Sequence, residues 1–103
     1  MKPSKEYTSF SKFYPFYLSQ HADRTNRRLH FCGTLLVISV ALAALFTQHW
    51  LFFLGMPLAG YTFAWVGHFF FEKNKPATFT YPLYSLMGDF VMFWQILTGK
   101  IRF

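Results

Sequence analysis

The chain has 103 residues, of which 53% are hydrophobic, 23% aromatic and only 14% charged, with a formal net charge of +6. A soluble domain carries about 25% charged residues, so this composition argues against a surface made wholly for water. The basic residues are clustered rather than spread, which argues against a nucleic-acid footprint and for topology and attraction to lipid headgroups.

Residues 1–9 read as a tail. "FSKFYPFYL", Phe10 to Leu18, is aromatic but holds Lys12 and Pro15 and is too short to cross a bilayer, so an interfacial helix is expected over about 10–20. "SQHADRTNRRLH" follows, with Asp23 placed as the N-cap of a helix starting at Arg24. That helix is expected to run unbroken into the longest uncharged window of the chain. From Leu29 to Phe71 there is no Asp, Glu, Lys or Arg.

A crossing needs about 20 apolar residues, so the window holds two, at about 29–46 and 50–71, reversing near Thr47, Gln48 and His49. A helical hairpin satisfies its backbone hydrogen bonds internally, as lipid demands. The other reading, a buried two-helix core, fails on size, because 103 residues cannot wrap so long an apolar pair. Lys2, Lys5, Lys12, Arg24, Arg27 and Arg28 precede the window, and Lys73, Lys75, Lys100 and Arg102 follow it. The positive-inside rule then puts both termini in the cytoplasm. No cleavable leader is visible, and the lone Cys32 has no disulfide partner within the chain.

"EKNKPATFTYP" reads as a loop, and Pro82 opens a last helix over about 82–98. Leu83, Leu86, Met87, Phe90, Trp94 and Leu97 share one face at helical spacing. Asp89 falls in the middle of this segment with no evident role. The segment is expected to lie along the cytoplasmic interface rather than to cross. The fold expected is thus all-α: one membrane domain over 1–103, a two-span hairpin with an interfacial helix at each end.

Chemistry concentrates at the open end of the hairpin. At about 1.5 Å per residue the two arms from Gln48 to His30 and to His68 are roughly 27 and 30 Å long, which returns His68 to the depth of His30. Gly33 and Gly67 beside them permit close helix approach. Asn26 precedes His30 by four residues and Glu72 follows His68 by four. That spacing shares a helix face and suits an outer-shell partner for a ligating imidazole. His21 is about 900° of helix rotation from His30, so it joins them only if the chain bends, and the cap at Asp23 supplies the bend. His49 lies at the far end of the hairpin. The candidate site is therefore His21, His30 and His68, with Asn26, Glu72 and Asp89 in its neighbourhood. Three imidazoles without a thiolate suit iron, zinc, copper or nickel. Glu72 also has an ordinary reading as an ion-pair partner of Lys73, Lys75 or Arg28.

"HADRTNRRLHFCGT" and "GHFFFEKNKPA" together resemble the membrane 2-hydroxy fatty acid dioxygenases. The characterised fungal member of that family acts in the endoplasmic reticulum, in the breakdown of phytosphingosine to odd-numbered fatty acids. The resemblance spans about residues 13–98. It implies an iron(II) site on His21, His30 and His68 and α-oxidation of a 2-hydroxy fatty acid, one carbon lost with dioxygen as oxidant. The implied location is a bacterial inner membrane or the endoplasmic reticulum. On that reading Arg27 or Arg28 holds the substrate carboxylate as a charge-assisted pair, while Glu72 orients His68 or accepts a proton. The partners implied are a fatty acid or lipid, dioxygen and the membrane, with a homo-oligomer open to so small a chain and no nucleic acid. Two other functions compete: a haem carrier with His30 and His68 as axial ligands and His21 idle, and a non-catalytic membrane subunit whose histidines only pack and hydrogen-bond.

Overall fold

The computed structural model describes residues 7–103. Residues 1–6, with Lys2, Lys5 and most of the expected tail, lie outside the described residues. Helix α1 is Phe10–Ser19, α2 is Arg24–Thr47, α3 is Gly55–Val66 and α4 is Pro82–Leu97. A 3-10 turn, Trp50–Leu54, precedes α3, and a π-helical turn, Gly67–Glu72, continues it. Among the described residues every regular element is helical.

The expected cap at Asp23 is formed, its carboxylate accepting from the Asn26 N–H at 3.0 Å. From there α2 runs without interruption to Thr47. Gln48 ends it in the left-handed conformation, φ 58°, and this is where the chain reverses. The two arms pack along small residues. A Cβ on Gly33 would lie 2.8 Å from the Phe63 Cβ, and one on Gly60 would lie 3.2 Å from Val37 Cγ2, so the glycines set the helix separation.

Two stretches, Arg24–Thr47 and Trp50–Glu72, are long and apolar enough to cross a membrane. The core helix of a soluble protein passes the same length test but buries its side chains. Here Phe46 is 83% exposed and Leu51 79% exposed, with Leu45, Leu54 and Leu58 also outward. So large an uncovered apolar surface is characteristic of a partner that is itself apolar.

A second, aromatic body caps the open end. Phe13 and Tyr17 of α1 pack with Tyr81, Met92 and Ile96 as its buried core. Gly88 of α4 faces the Tyr17 ring so closely that a Cβ there would stand 2.9 Å from it. Phe31 of α2 stacks on Phe93 at 4.7 Å and joins the two bodies.

The apolar stripe expected on α4 is present, and Leu83, Leu86, Met87, Phe90, Trp94 and Leu97 are all exposed, although Leu86 and Phe90 also line a cavity beside the histidines. The inward face is made of the smaller set Ser85, Gly88, Met92 and Ile96. Packing against α1 requires the glycine at 88, where the Tyr17 ring approaches the helix. Asp89 is turned inward too, where one carboxylate oxygen accepts a hydrogen bond from the Tyr17 hydroxyl.

Candidate metal centre

Three segments deliver the histidines: the turn between α1 and α2 (His21), the first turns of α2 (His30) and the π-helical turn after α3 (His68). All three are buried. The Nε2 atoms of His21 and His30 are 3.0 Å apart. The His68 ring stands with its centroid 4.6 Å from that of His21 and 4.8 Å from that of His30. One ring nitrogen from each lies within 4.8 Å of the others, an arrangement that could hold a metal ion.

The hydrogen bonds decide which nitrogens those are. His21 Nδ1 meets the Tyr17 carbonyl at 2.7 Å, and His30 Nδ1 meets the Asn26 carbonyl at 3.0 Å. A carbonyl only accepts, so both Nδ1 atoms carry the proton. His68 Nδ1 meets Asn74 Oδ1 at 2.7 Å. The Asn74 amide is itself oriented by its Nδ2, which donates to the Gln20 carbonyl at 3.2 Å and to Gln20 Oε1 at 3.0 Å. Its oxygen therefore faces His68, and that Nδ1 is a donor as well. In the neutral rings all three Nε2 atoms are left as lone pairs.

Two such lone pairs at 3.0 Å have nothing to share but a cation. Burial and the neighbouring His30 hold His21 well below the usual imidazole range, so a proton is disfavoured as that cation. Two imidazoles bound to one ion at about 2.1 Å and close to a right angle stand about 3.0 Å apart. The donor set thus fits a transition metal, and three protein ligands leave further positions open to other molecules.

The remaining predicted residues fall differently. Asn26 does partner His30, but through its backbone carbonyl; its side-chain Nδ2 donates to Glu72 Oε1 at 3.1 Å. Glu72, expected on the second nitrogen of His68, instead accepts from Asn26 and from the Asp23 N–H at 2.8 Å. It ties the start of α2 to the end of the second arm and so closes the base of the hairpin. The position intended for it at His68 is taken by Asn74. Lys73 adopts φ 60°, which folds the chain back and sets the Asn74 N–H on the His68 carbonyl at 2.9 Å.

Neither Arg27 nor Arg28 hydrogen-bonds a histidine ring. Arg27 donates to the carbonyls of His21 and Ala22 at 3.2 and 2.9 Å and to that of Arg102 at 3.3 Å. Arg28 donates to the Phe103 carbonyl at 3.2 Å and lies over its ring. Both point to the outside of the helix, one holding the turn that carries His21, the other the C-terminal segment. His49 is exposed at the far end, as expected.

Asn74 was not visible as a site residue from spacing, because its role depends on a left-handed residue at Lys73. It is a positioning residue for His68. Asn74→Ala is expected to lower metal affinity about 10- to 100-fold, the usual effect of removing an outer-shell partner. Competition against a metallochromic chelator would measure it, and Asn74→Asp should recover most of the loss.

The histidines sit at one end of a cavity of about 370 Å³. Tyr17, Ser85 and Asp89 share that polar end. The stem is apolar, lined by Val37, Met56, Pro57, Gly60, Ala64 and Trp65. Val37 is seven residues beyond His30, so the stem reaches roughly 10 Å into the hairpin.

Burial pushes the Asp89 carboxyl up to about 6 from an ordinary 3.8, against the opposing effect of the Tyr17 hydrogen bond. The native state then holds this proton more tightly than the unfolded chain. Its contribution to stability is greatest below about pH 4 and declines as pH rises to about 6. Asp89→Asn should remove that decline, seen as the difference between the two unfolding-temperature profiles over this range.

The family model described as 2-hydroxy-palmitic acid dioxygenase Mpo1-like matches residues 7–101. Neither the curated proteins nor the solved structures gave a match. Both motifs that carry the three histidines lie inside the matched region, which is nearly the whole chain, and the chain belongs to the 2-hydroxy-palmitic acid dioxygenase Mpo1-like family.

Proposed function

We propose that this protein is an iron(II)-dependent dioxygenase that shortens 2-hydroxy fatty acids by one carbon from within a membrane. The observation that carries the reading is the convergence of three buried Nε2 lone pairs at the polar end of a cavity whose stem is apolar. That is the shape of an amphiphile with its reactive head at the histidines and its chain between the helices. The family description supplies the substrate class. Iron is favoured over zinc because the reaction needs a redox-active ion.

His21, His30 and His68 would hold the ion, and iron(II) bound there would supply the site at which dioxygen is activated. Tyr17 and Asn26 fix two of the imidazole tautomers through their carbonyls, and Asn74 fixes the third. Arg27 acts on the site only through the turn that carries His21. The apolar stem keeps water from the reacting end. A 2-hydroxy acid and one dioxygen contain the atoms of the one-carbon-shorter acid, carbon dioxide and water, so no external reductant is needed.

The uncovered apolar surface of both arms supports a hairpin that spans the bilayer, with α1 and α4 at the interface. The basic residues at the open end support a cytoplasmic location for both termini. The haem reading loses ground because His21 occupies the space that a macrocycle between His30 and His68 would need.

Detergent-purified protein loaded anaerobically with iron(II) tests the proposal. On admission of dioxygen, 2-hydroxypalmitate should be converted to pentadecanoate, with about one dioxygen consumed per acid. Protein that retains no iron and yields no shortened acid would overturn it.

A further inference from the structure

Two side chains at the polar end of the cavity have no part in the metal reading. Ser85 and Asp89 lie four residues apart on α4 and so share a face. Hydroxyls in helices usually donate to the carbonyl four residues back. Ser39, Thr47, Thr62 and Thr98 of this chain do so, to Leu35, Ala43, Leu58 and Trp94. Ser85 does not. Its own N–H reaches the Tyr81 carbonyl at 2.9 Å, but its Oγ is buried with no hydrogen-bond partner. The residue is only 5% exposed and lines the cavity.

A buried hydroxyl without a partner is a standing cost, and such a group at a binding cavity marks a place where a ligand supplies the missing bond. Asp89 lines the same cavity. The Tyr17 hydroxyl occupies one of its oxygens, and a carboxylate has acceptor capacity beyond that one bond.

We infer that Ser85 and Asp89 recognise the 2-hydroxyl group of the substrate. This rests on the reading of the cavity as a 2-hydroxy acid site. A hydroxyl is donor and acceptor at once. Asp89 accepts its proton in a hydrogen bond, and the Ser85 Oγ–H donates to its oxygen. The substrate carboxylate is the wrong partner for Asp89, because two carboxylates at contact repel. Asp89 thereby orients the head, hydroxyl toward α4 and carboxylate toward the histidine side. An unsubstituted fatty acid leaves the buried Ser85 hydroxyl unpaired and the remaining acceptor capacity of Asp89 unused, the situation in which discrimination by a single hydroxyl is large.

Binding of 2-hydroxypalmitate and of palmitate to the anaerobic iron(II) protein, followed by calorimetry, tests the assignment without turnover. Wild type should prefer the 2-hydroxy acid by about tenfold or more. Ser85→Ala and Asp89→Asn should each erase most of that preference while leaving palmitate affinity within about threefold. Ser85→Ala should also unfold at the same or a higher temperature than wild type when no ligand is present, since it removes an unpaired buried oxygen; a purely structural serine would lower it.

A preference that survives in both variants overturns the assignment and leaves the metal site intact. A wild type that does not distinguish the two acids, or binds neither, overturns it as well. Iron retention in the same preparation then shows whether the proposed function falls with it.

Discussion

His68→Ala should abolish both stoichiometric iron retention and shortening of 2-hydroxypalmitate. Removing one of three protein ligands costs more than the 10- to 100-fold loss that follows removal of an outer-shell partner, and the two remaining imidazoles leave the ion open to chelation. The decisive reading is a difference in stability. An ion that binds the native state alone stabilises it by about 2.7 kcal/mol at a hundredfold excess over Kd. Added iron(II) should therefore raise the unfolding temperature of wild type and leave that of the variant unchanged. In the absence of metal the variant should unfold at a lower temperature than wild type, since it leaves a cavity and removes the bond from His68 Nδ1 to Asn74 Oδ1 at 2.7 Å, so each iron-induced shift is measured against that protein's own metal-free value. Equal iron-induced shifts in both proteins would contradict the three-histidine site. A variant that fails to fold without metal would point to the purely structural role instead.

The second large effect is expected at Gly67, next to the ligand. A Cβ built there falls 2.0 Å from Asn26 Oδ1 and 3.3 Å from the Asn26 Cα. The amide cannot swing aside cheaply, because its Nδ2 is committed to Glu72 Oε1 at 3.1 Å, and Asn26 is fully buried. The hydrogen that stands in place of the Cβ points at Oδ1, a buried oxygen with no conventional partner, and gives it a weak Cα–H···O contact. Gly67→Ala should destabilise by about 3 kcal/mol, the upper end of overpacking costs.

It should also displace His30 and His68 together, since Asn26 carries the carbonyl on His30 and Gly67 adjoins His68. Gly60→Ala is the control: its Cβ meets only the Val37 methyl at 3.2 Å, which can give way, at a cost of about 1 kcal/mol. Thermal unfolding in detergent with metal analysis on the same samples would measure both. A Gly67→Ala protein as stable as Gly60→Ala would remove the argument that this contact sets the base of the hairpin.

Much of this was legible in the sequence. The uncharged window from Leu29 to Phe71 announced two long helices, because hydrophobic run length needs no tertiary information. The cap at Asp23 and the reversal at Thr47–His49 followed from local chemistry and from the length of each arm. Helix rise alone could bring His30 and His68 to one depth, and His21 joined them only through the bend at the Asp23 cap. What spacing suggested for their partners held only in part. Four-residue spacing named Asn26 and Glu72 as partners of His30 and His68, whereas a backbone carbonyl of Asn26 meets His30 and Asn74, six positions on, meets His68 in place of Glu72.

The same limit applies to α4. Its periodicity was readable, yet the conspicuous apolar stripe of Leu83, Leu86, Phe90 and Trp94 is exposed, with only Leu86 and Phe90 of these reaching the cavity. The buried side is the sparse face of Ser85, Gly88, Met92 and Ile96, with glycine at 88 required by how closely the Tyr17 ring approaches. Arg27 and Arg28 looked available for a substrate because they neighbour His30 in sequence, but successive helix positions point about 100° apart, and theirs point outward.

By itself, then, the sequence determined the helical class, the apolar hairpin, the reversal and the depth at which three imidazoles meet, since run length, caps and helix rise act within a segment. Only the tertiary structure decided the tautomers that aim three lone pairs at one point, the exchange of Glu72 for Asn74, and the unpaired Ser85 hydroxyl facing the cavity beside Asp89. Each of those depends on atoms from segments far apart in the chain, and hydrogen-bond direction between such segments is set by packing rather than by spacing.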